Sequence, residues 1–583
     1  MEQVQNPFVA YLNRYTTASP DHEAAFDEFI ASALPPAAGN LKLSTKIERF
    51  LRSMFSQKNP PSVILTGNAG DGKTYLCRQM VQAFSPDHSP DWEKLIDHPV
   101  ERNQVRLFII KDLSELNEEK GQNILKRLAA TLNNPQNRDR YLIAANEGRL
   151  RQLLTNLPEQ TLLSRMINNQ LQSDTLTADQ PLIVVNLNRV STSTFVPDTL
   201  RWMTDRRHWS DCQRCPVRDR CPIRYNATQL TDSHRIERVQ RLYQLLEATG
   251  EHVTIRDMLI HLAYTITGGQ QCSTVQDRAS RSGDLSQFAY YENIFGRSDD
   301  EGFRRKSHLT QLLARLQIGQ YSQFEIDDFI LSGGNTDSER QEHRHLFGET
   351  VDLNHKGFNQ ERRAYLEGSD NERAKNVLNW LPHCRRKIFF AGSDQQFYHL
   401  LPFRFFETYK QVFNQKSDEE IVRVFVKGLN RAFSRLYLNE EGYLYVTSQY
   451  IYSVNQPHPL ILLKIPIDNI RLIPEQIADD YIDVDRYSLY LDIAPPPRLS
   501  GNPVKWHVGL LQFEYVMRLA HGGHASVLAN ECELDIRRLR EDLIREFAAS
   551  INHQNTIEFF VPARNRYHIR RLRVNEQGKI TDE

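Results

Sequence analysis

The sequence lacks any long apolar run and any excess of charge, and it has few cysteines for its length. No stretch approaches the ~20 apolar residues that a membrane-spanning helix needs, so we expect no membrane partner. The formal net charge is −1, which confines any nucleic-acid surface to a local patch. Seven cysteines, together with the absence of a basic and apolar leader at the N-terminus, favour a cytoplasmic location over a disulfide framework.

The remaining composition is that of an ordinary globular protein, with 40% hydrophobic and 25% charged residues. At roughly 150 residues per domain, the length predicts three or four domains. The predicted segments are a helical N-terminal segment (1–58), a core (59–200), a Cys-rich insertion (201–232), a helical lid (233–270), a mainly helical region (271–430) and a mixed α/β C-terminal domain (431–583).

Strand-like apolar runs alternate with helical patterns across the predicted core, and this alternation predicts an α/β fold with a mostly parallel sheet. The run Ser62–Thr66 has the uniform hydrophobicity of a strand that is buried on both faces. Three further strands of this sheet are expected at residues 107–110, 141–145 and 182–185. The C-terminal domain is expected to contain strands at 443–446, 460–465 and 557–561 and a helix at 535–547.

Helix boundaries are marked by capping and breaking residues. Thr45 and Thr254 each precede an acidic residue at capping-box spacing, which predicts that a helix begins after each of them. The pair Gly268-Gly269 predicts where the second of these helices ends.

A phosphate-binding loop is the strongest motif in the chain. The pattern G-x-x-x-x-G-K-[ST] is met at every fixed position by Gly67, Asn68, Ala69, Gly70, Asp71, Gly72, Lys73 and Thr74. Glycines let the backbone curl so that its N–H groups, up to that of Tyr75, point at phosphate oxygens. A lysine ammonium suits the β and γ phosphates, and a threonine hydroxyl suits Mg²⁺. The sequence therefore predicts a site for ATP and Mg²⁺.

Hydrolysis also needs carboxylates at the carboxyl ends of neighbouring strands. In one interpretation Asn146 takes the usual position of the magnesium carboxylate, Glu147 orients water, and Asn186 is a polar sensor. In the other, Asp112 holds magnesium and Asn146 is the sensor. Asp112 and Glu147 are candidates in both, although an aspartate there also suits a helix cap. Arg256 opens the predicted lid helix, where it would reach the γ phosphate or form an ordinary surface ion pair.

A second motif is the cysteine cluster C-x2-C-x5-C formed by Cys212, Cys215 and Cys221. Thiolates at this spacing converge on one tetrahedral metal, for which Zn²⁺ in a structural role is the default and an iron–sulfur cluster the alternative. The fourth ligand stays open. The candidates for it are Cys272, His208 and His234.

Two regions are locally basic. Residues 201–241 contain ten arginines against five acidic residues. A run near the C-terminus contains Arg564, Arg566, Arg570, Arg571 and Arg573 beside Tyr567 and His568. The first region suits a patch that faces nucleic acid, although solvated surface arginine is the commoner explanation. The second suits phosphate contacts with aromatic stacking, and an exposed edge strand protected by charge accounts for it equally well. Double-stranded DNA is the candidate nucleic-acid partner.

Several motifs together resemble bacterial defence ATPases, and among these the DNA phosphorothioation-dependent restriction proteins. They are LTGNAGDGKTYL (65–76), IKDLSE (110–115), IAANEG (143–148), the Cys segment 212–226, TGGQQC (267–272) and YYENIF (290–295). The resemblance covers approximately residues 60–300.

The resemblance implies a P-loop fold of the AAA/ASCE type and an ATPase subunit of a multi-protein machine that restricts unmodified invading DNA. Its nucleotide-binding residues correspond to Gly67, Gly70, Gly72, Lys73 and Thr74. Oligomer formation is compatible with this type of subunit. One departure is Asn146-Glu147 in place of the usual hydrophobic-Asp-Glu string, and it favours a nucleotide-gated switch with little turnover as the alternative function.

Overall fold

The computed structural model divides the chain into two compact units, Met1–Pro402 with Ala478–Asp485 (unit 1) and Phe403–Ile477 with Arg486–Glu583 (unit 2). The segmentation predicted within each unit stays a prediction. The structure describes residues 4–15, 36–86, 98–134, 136–155, 162–173, 176, 179–280, 286–297, 300–348, 357–368, 371–414, 419–439, 442–448, 459–477, 479–484, 486–495, 501–523, 530–547, 555–564, 566–575 and 577–582.

Unit 1 contains a five-stranded, mostly parallel sheet with the strand order β2-β3-β4-β1-β5. Only the β2/β3 pair is antiparallel; β3, β4, β1 and β5 run in one direction. The predicted α/β class and the four predicted strands are confirmed. The strands are β1 (Ser62–Thr66), β2 (Val100–Arg102), β3 (Val105–Ile110), β4 (Asp139–Ala145) and β5 (Leu182–Asn186).

The first helices of unit 1 precede or connect the strands of this sheet. They are α1 (Pro7–Asn13), α2 (Lys46–Phe55), α3 (Lys73–Phe84), α4 (Glu118–Leu132), α5 (Glu147–Thr155) and α6 (Leu162–Gln172). Leucines and isoleucines of α4, α5 and α6 pack with Ile64, Ile143 and Val184 in one buried core. These three helices therefore cover one face of the sheet.

Further helices follow in unit 1. They are α7 (Val196–Met203), α8 (Pro222–Gln229), α9 (Ser233–Ala248), α10 (Ile255–Thr267), α11 (Cys272–Ser280), α12 (Tyr290–Asn293), α13 (Glu301–Lys306), α14 (His308–Arg315), α15 (Phe324–Ser332), α16 (Asp337–Phe347), α17 (Phe358–Leu366), α18 (Asn371–Ala391) and α19 (Asp394–Leu400). The predicted helix starts are confirmed: Thr45 caps α2, and Thr254 and Asp257 form a reciprocal capping box on α10. The helix α10 ends at Gly268, which adopts the left-handed conformation.

Within the predicted helical N-terminal segment (1–58), helices α1 and α2 are separated by residues 36–45, which form no helix. Pro36 and Gly39, the latter with φ +81°, explain the interruption. Residues 1–3 and 16–35 of this segment lie outside the described part of the chain. Among the described helices, none is both long enough and apolar enough to cross a membrane.

Unit 2 contains two antiparallel sheets and four described helices. One sheet has the order β10-β9-β8 and the other β13-β12-β11-β7-β6. Its helices are α20 (Phe406–Asn414), α21 (Glu419–Ser434), α22 (Leu510–Ala520) and α23 (Asn530–Phe547). Its strands are β6 (Tyr443–Thr447), β7 (Leu460–Pro466), β8 (Ile470–Ile477), β9 (Arg486–Ile493), β10 (Val504–His507), β11 (Thr556–Pro562), β12 (Tyr567–Val574) and β13 (Ile580–Asp582).

The three strands and the helix predicted in the C-terminal domain are confirmed. Strand β12 pairs with β11 from Tyr567 to Arg573, whereas β13 pairs only with its last three residues, 572–574. Within the described residues, Arg570 and Arg571 therefore have a paired strand on one side only, and the edge-strand interpretation of the terminal basic run stays a prediction. The arginines of β12 are exposed, and Arg571 pairs with Glu558 at 2.5 Å.

Candidate functional site

Residues 67–72 form a loop at the carboxyl end of β1, in the middle of the parallel sheet, and α3 begins directly after them. Thr66 is in register with Ala145 of β4 and with Asn186 of β5. The loop is therefore level with the ends of both neighbouring strands. Ligands bind open α/β sheets at this edge.

Glycine is required at the turns of this loop. Gly67, Gly70 and Gly72 have φ values of +156°, +101° and +84°, which side-chain-bearing residues rarely adopt. A Cβ atom on Gly70 would lie 2.8 Å from the Thr254 hydroxyl and 2.9 Å from the Cβ of Arg256. The backbone of the loop thus approaches the N-terminus of α10 closely.

Lys73 turns back over the loop. Its Nζ donates hydrogen bonds to the carbonyl oxygens of Gly67 (2.8 Å) and Asn68 (2.7 Å). Burial lowers the pKa of Lys73, while the nearby carboxylates of Asp71 and Asp112 oppose this shift and the Arg256 guanidinium adds to it. Asp112 and Arg256 therefore lie close enough to act electrostatically on this ammonium.

A buried carboxylate ties the loop to the segment before α10. Asp71 accepts a hydrogen bond from the Asn68 amide at 2.6 Å, and its other oxygen lies 2.9 Å from Nε2 of His252. The amide of Arg256 also donates to the Gly70 carbonyl at 3.2 Å. Sequence reasoning missed His252, because a histidine outside any motif carries no signal of such a long-range contact.

Neighbouring strand ends supply the other predicted residues. Oδ1 of Asp112 accepts from the Ser114 amide at 2.8 Å, so this carboxylate does cap the turn after β3. The Asn146 side chain likewise accepts from the Gly148 amide at 2.9 Å. Glu147, the first residue of α5, pairs with Arg151 on the same helix at 2.9 Å.

Four further side chains lie beside the loop or directly after it. Asn186 accepts from the Asn188 amide at 3.1 Å, and Asn188 in turn accepts from the Asn68 amide at 3.2 Å. The Tyr75 hydroxyl donates to Glu48 of α2 at 3.3 Å. Thr74 is half-buried in the first turn of α3.

The structure brings four cysteines to one small cavity at some distance along the chain from this loop. Cys212, Cys215, Cys221 and Cys272 line a space of about 20 Å³. All seven cysteines of the protein are free thiols. Burial raises the pKa of Cys212, Cys272 and Cys221, the last to about 12, and each of these thiols is also influenced by another cysteine of the four. Cys272 therefore joins the three cysteines of the predicted cluster.

The two histidines considered as fourth ligands do not line this cavity. The ring of His208 stacks on Phe8 with the centroids 3.7 Å apart, and burial lowers its pKa to about 4. His234 lies on α9 beside Arg238. Within the described residues, no three His, Cys, Asp or Glu side chains are arranged so that they could hold a metal ion as they stand.

Comparison of the chain with protein-family models, with curated proteins and with solved structures finds no match.

The approach of Gly70 to α10 generates a stability prediction. Gly250→Ala introduces a left-handed alanine at φ +90° where nothing lies within 4 Å, so it is the matched control for backbone strain. We expect the free energy of unfolding to fall by about 1–2 kcal/mol in this control. In Gly70→Ala it should fall by about 1–3 kcal/mol more, because the new methyl group overlaps Thr254 and Arg256. Urea unfolding measures both. Equal losses would contradict the close contact.

Proposed function

We propose that this protein binds ATP with Mg²⁺ at the loop 67–74 and hydrolyses it, as a P-loop NTPase of the AAA/ASCE type. The observation that carries this proposal is the position of a complete G-x-x-x-x-G-K-[ST] sequence between the central parallel strand and a helix start. The loop amides and the positive end of the α3 dipole would face the phosphates. Lys73 would exchange its two carbonyl partners for the β and γ phosphates.

We assign Mg²⁺ to Thr74 and Asp112 rather than to Asn146. Asp112 lies close enough to Lys73 to influence its pKa, and only one of its carboxylate oxygens is used by the Ser114 amide. An ionised carboxylate is also a better ligand for Mg²⁺ than an amide oxygen. This choice leaves Asn146 as the polar sensor beside the γ phosphate.

Hydrolysis needs a base or orienting group for water and a cation for the developing charge. We assign these roles to Glu147 and Arg256. Glu147 stands at the end of the strand next to β1, and its pairing with Arg151 is half-exposed and therefore weak. Arg256 meets the loop through its own amide and lies within electrostatic range of Lys73.

The wider role that we propose is an ATPase subunit of a bacterial DNA restriction or antiviral defence complex. The motifs that resemble that class support it, and so do the exposed arginines on β12. Guanidinium groups on one strand suit the phosphates of double-stranded DNA. Other subunits of such a complex would be the protein partners.

A nucleotide-gated switch with little turnover is the second candidate. One observation favours it: Asn146 stands where hydrolases commonly have a carboxylate. In such a switch the contact between the loop and α10 would respond to ATP without rapid hydrolysis.

Replacement of Lys73 tests the chemical part of the proposal. We expect Lys73→Ala to hydrolyse ATP on the order of 100-fold or more slowly, because removing a preorganised charge from the transition state has an effect of that size. Steady-state phosphate release, with and without double-stranded DNA, measures it, and Lys120→Ala on the exposed face of α4 is the control. Unchanged turnover in Lys73→Ala would contradict the assignment. Turnover at background level in the parent protein under both conditions would favour the switch.

Variants of Asp112 and Glu147 distinguish the roles assigned to these two carboxylates. Asp112→Asn should raise the Mg²⁺ concentration needed for half-maximal activity by about tenfold or more, since a charged ligand is lost. Glu147→Gln should bind ATP and Mg²⁺ normally while losing turnover. Magnesium titrations of hydrolysis and equilibrium binding of a fluorescent ATP analogue measure both variants. A shifted Mg²⁺ requirement in Glu147→Gln but not in Asp112→Asn would reverse the roles.

A further inference from the structure

Four thiols from three separate stretches of unit 1 meet at one cavity. Cys212 and Cys215 stand at the end of the 3₁₀ helix Arg206–Arg214, Cys221 caps α8, and Cys272 begins α11. The cavity that they line measures about 20 Å³. A space of that size is enough for a single small guest.

Hydrogen-bond donors already surround these sulfur atoms. The buried side chain of Asn6 donates to Sγ of Cys212 at 3.2 Å, and the Asn6 amide donates to Cys272. The amides of Ile223 and Arg224, at the start of α8, donate to Cys221. Donors of this kind stabilise thiolates and orient them as metal ligands.

The charge around the cavity has the sign that a tetrathiolate centre needs. One Zn²⁺ with four thiolates carries a charge of −2. Arg218 and Arg224 line the same cavity, and Arg224 acts electrostatically on Cys212. Asp219 pairs with both guanidinium groups at 3.5 Å, so these three side chains together leave one positive charge that offsets part of the charge of the centre.

We propose that Cys212, Cys215, Cys221 and Cys272 bind one structural Zn²⁺ ion. The thiols as they stand are not drawn together onto a common point. Binding of Zn²⁺ releases the thiol protons, since only thiolates are ligands. The four thiolates are then attracted to the cation and converge on it. Four thiolates close the coordination sphere, which is typical of structural rather than catalytic zinc.

The proposed ion would clamp the N-terminal segment to the end of α10. Asn6 begins α1, Asn13 at its other end donates to the Gln270 carbonyl at 2.9 Å, and Gln276 of α11 donates to the Val4 carbonyl at 2.6 Å. Helix α10 runs from the Gly70 contact to within a few residues of Cys272. Zinc would thus fix the C-terminal end of α10, while the N-terminal end of α10 contacts the loop 67–72.

Elemental analysis of the purified full-length protein tests this proposal independently of any nucleotide. We expect one zinc per chain in the parent, in His208→Gln and in the control Cys532→Ser, whose buried thiol lies on α23 of unit 2. Cys212→Ser and Cys272→Ser should lose it. Zinc far below one equivalent in the parent, or iron with acid-labile sulfide, would overturn the proposal. Retention of zinc by Cys272→Ser but not by His208→Gln would overturn the assignment of the fourth ligand.

Cobalt substitution of the parent protein keeps the test decisive if a cysteine variant fails to fold. We expect apo-protein loaded with Co²⁺ to show the strong thiolate-to-metal absorption of a tetrahedral four-thiolate site. A spectrum with three thiolates and one imidazole, or no cobalt binding, would contradict the four-cysteine site.

Discussion

Three glycines with positive φ turn the chain at the carboxyl end of β1, and the position of that turn determines which residues meet at the site. β1 lies between β4 and β5 and runs parallel to both, so the residues that follow these strands emerge at the same edge. The hydrophobic residues of β1 are completely buried, which leaves the loop no freedom to shift along the sheet. A complete phosphate-binding sequence acquires a chemical meaning only because it occupies this turn.

The same turn also couples the loop to α10. Gly70 has space for no side chain because the capping residue of α10 stands against it, and Asp71 is held by His252 just before that helix. A ligand that moves the loop backbone must therefore act on the N-terminus of α10. The four cysteines and the N-terminal segment lie around the other end of that helix. Phosphate binding and the proposed zinc clamp would thus act on one rigid element from its two ends.

Much of this arrangement could be predicted from the sequence, because its signals are local. The uniform run Ser62–Thr66, the capping pair Thr254 and Asp257, and the loop pattern each depend on neighbouring residues. The contacts that join distant stretches carried no such signal. Asp479, from a segment that returns to unit 1, forms an ion pair with Arg189 after β5 at 3.0 Å. Cys272 was one of three candidates by spacing, and only the folded chain placed it beside the other cysteines.

The central claim is that the backbone amides of residues 67–75 bind a polyphosphate. Hydrogen exchange of these amides, compared with and without Mg²⁺ and a non-hydrolysable ATP analogue, tests it directly. The account predicts that exchange slows in the loop and the first turn of α3, except at Asn68, whose amide already donates to Asp71, while exchange in unit 2 strands such as β12 is unchanged. Loop amides that exchange equally fast at saturating analogue would contradict the account.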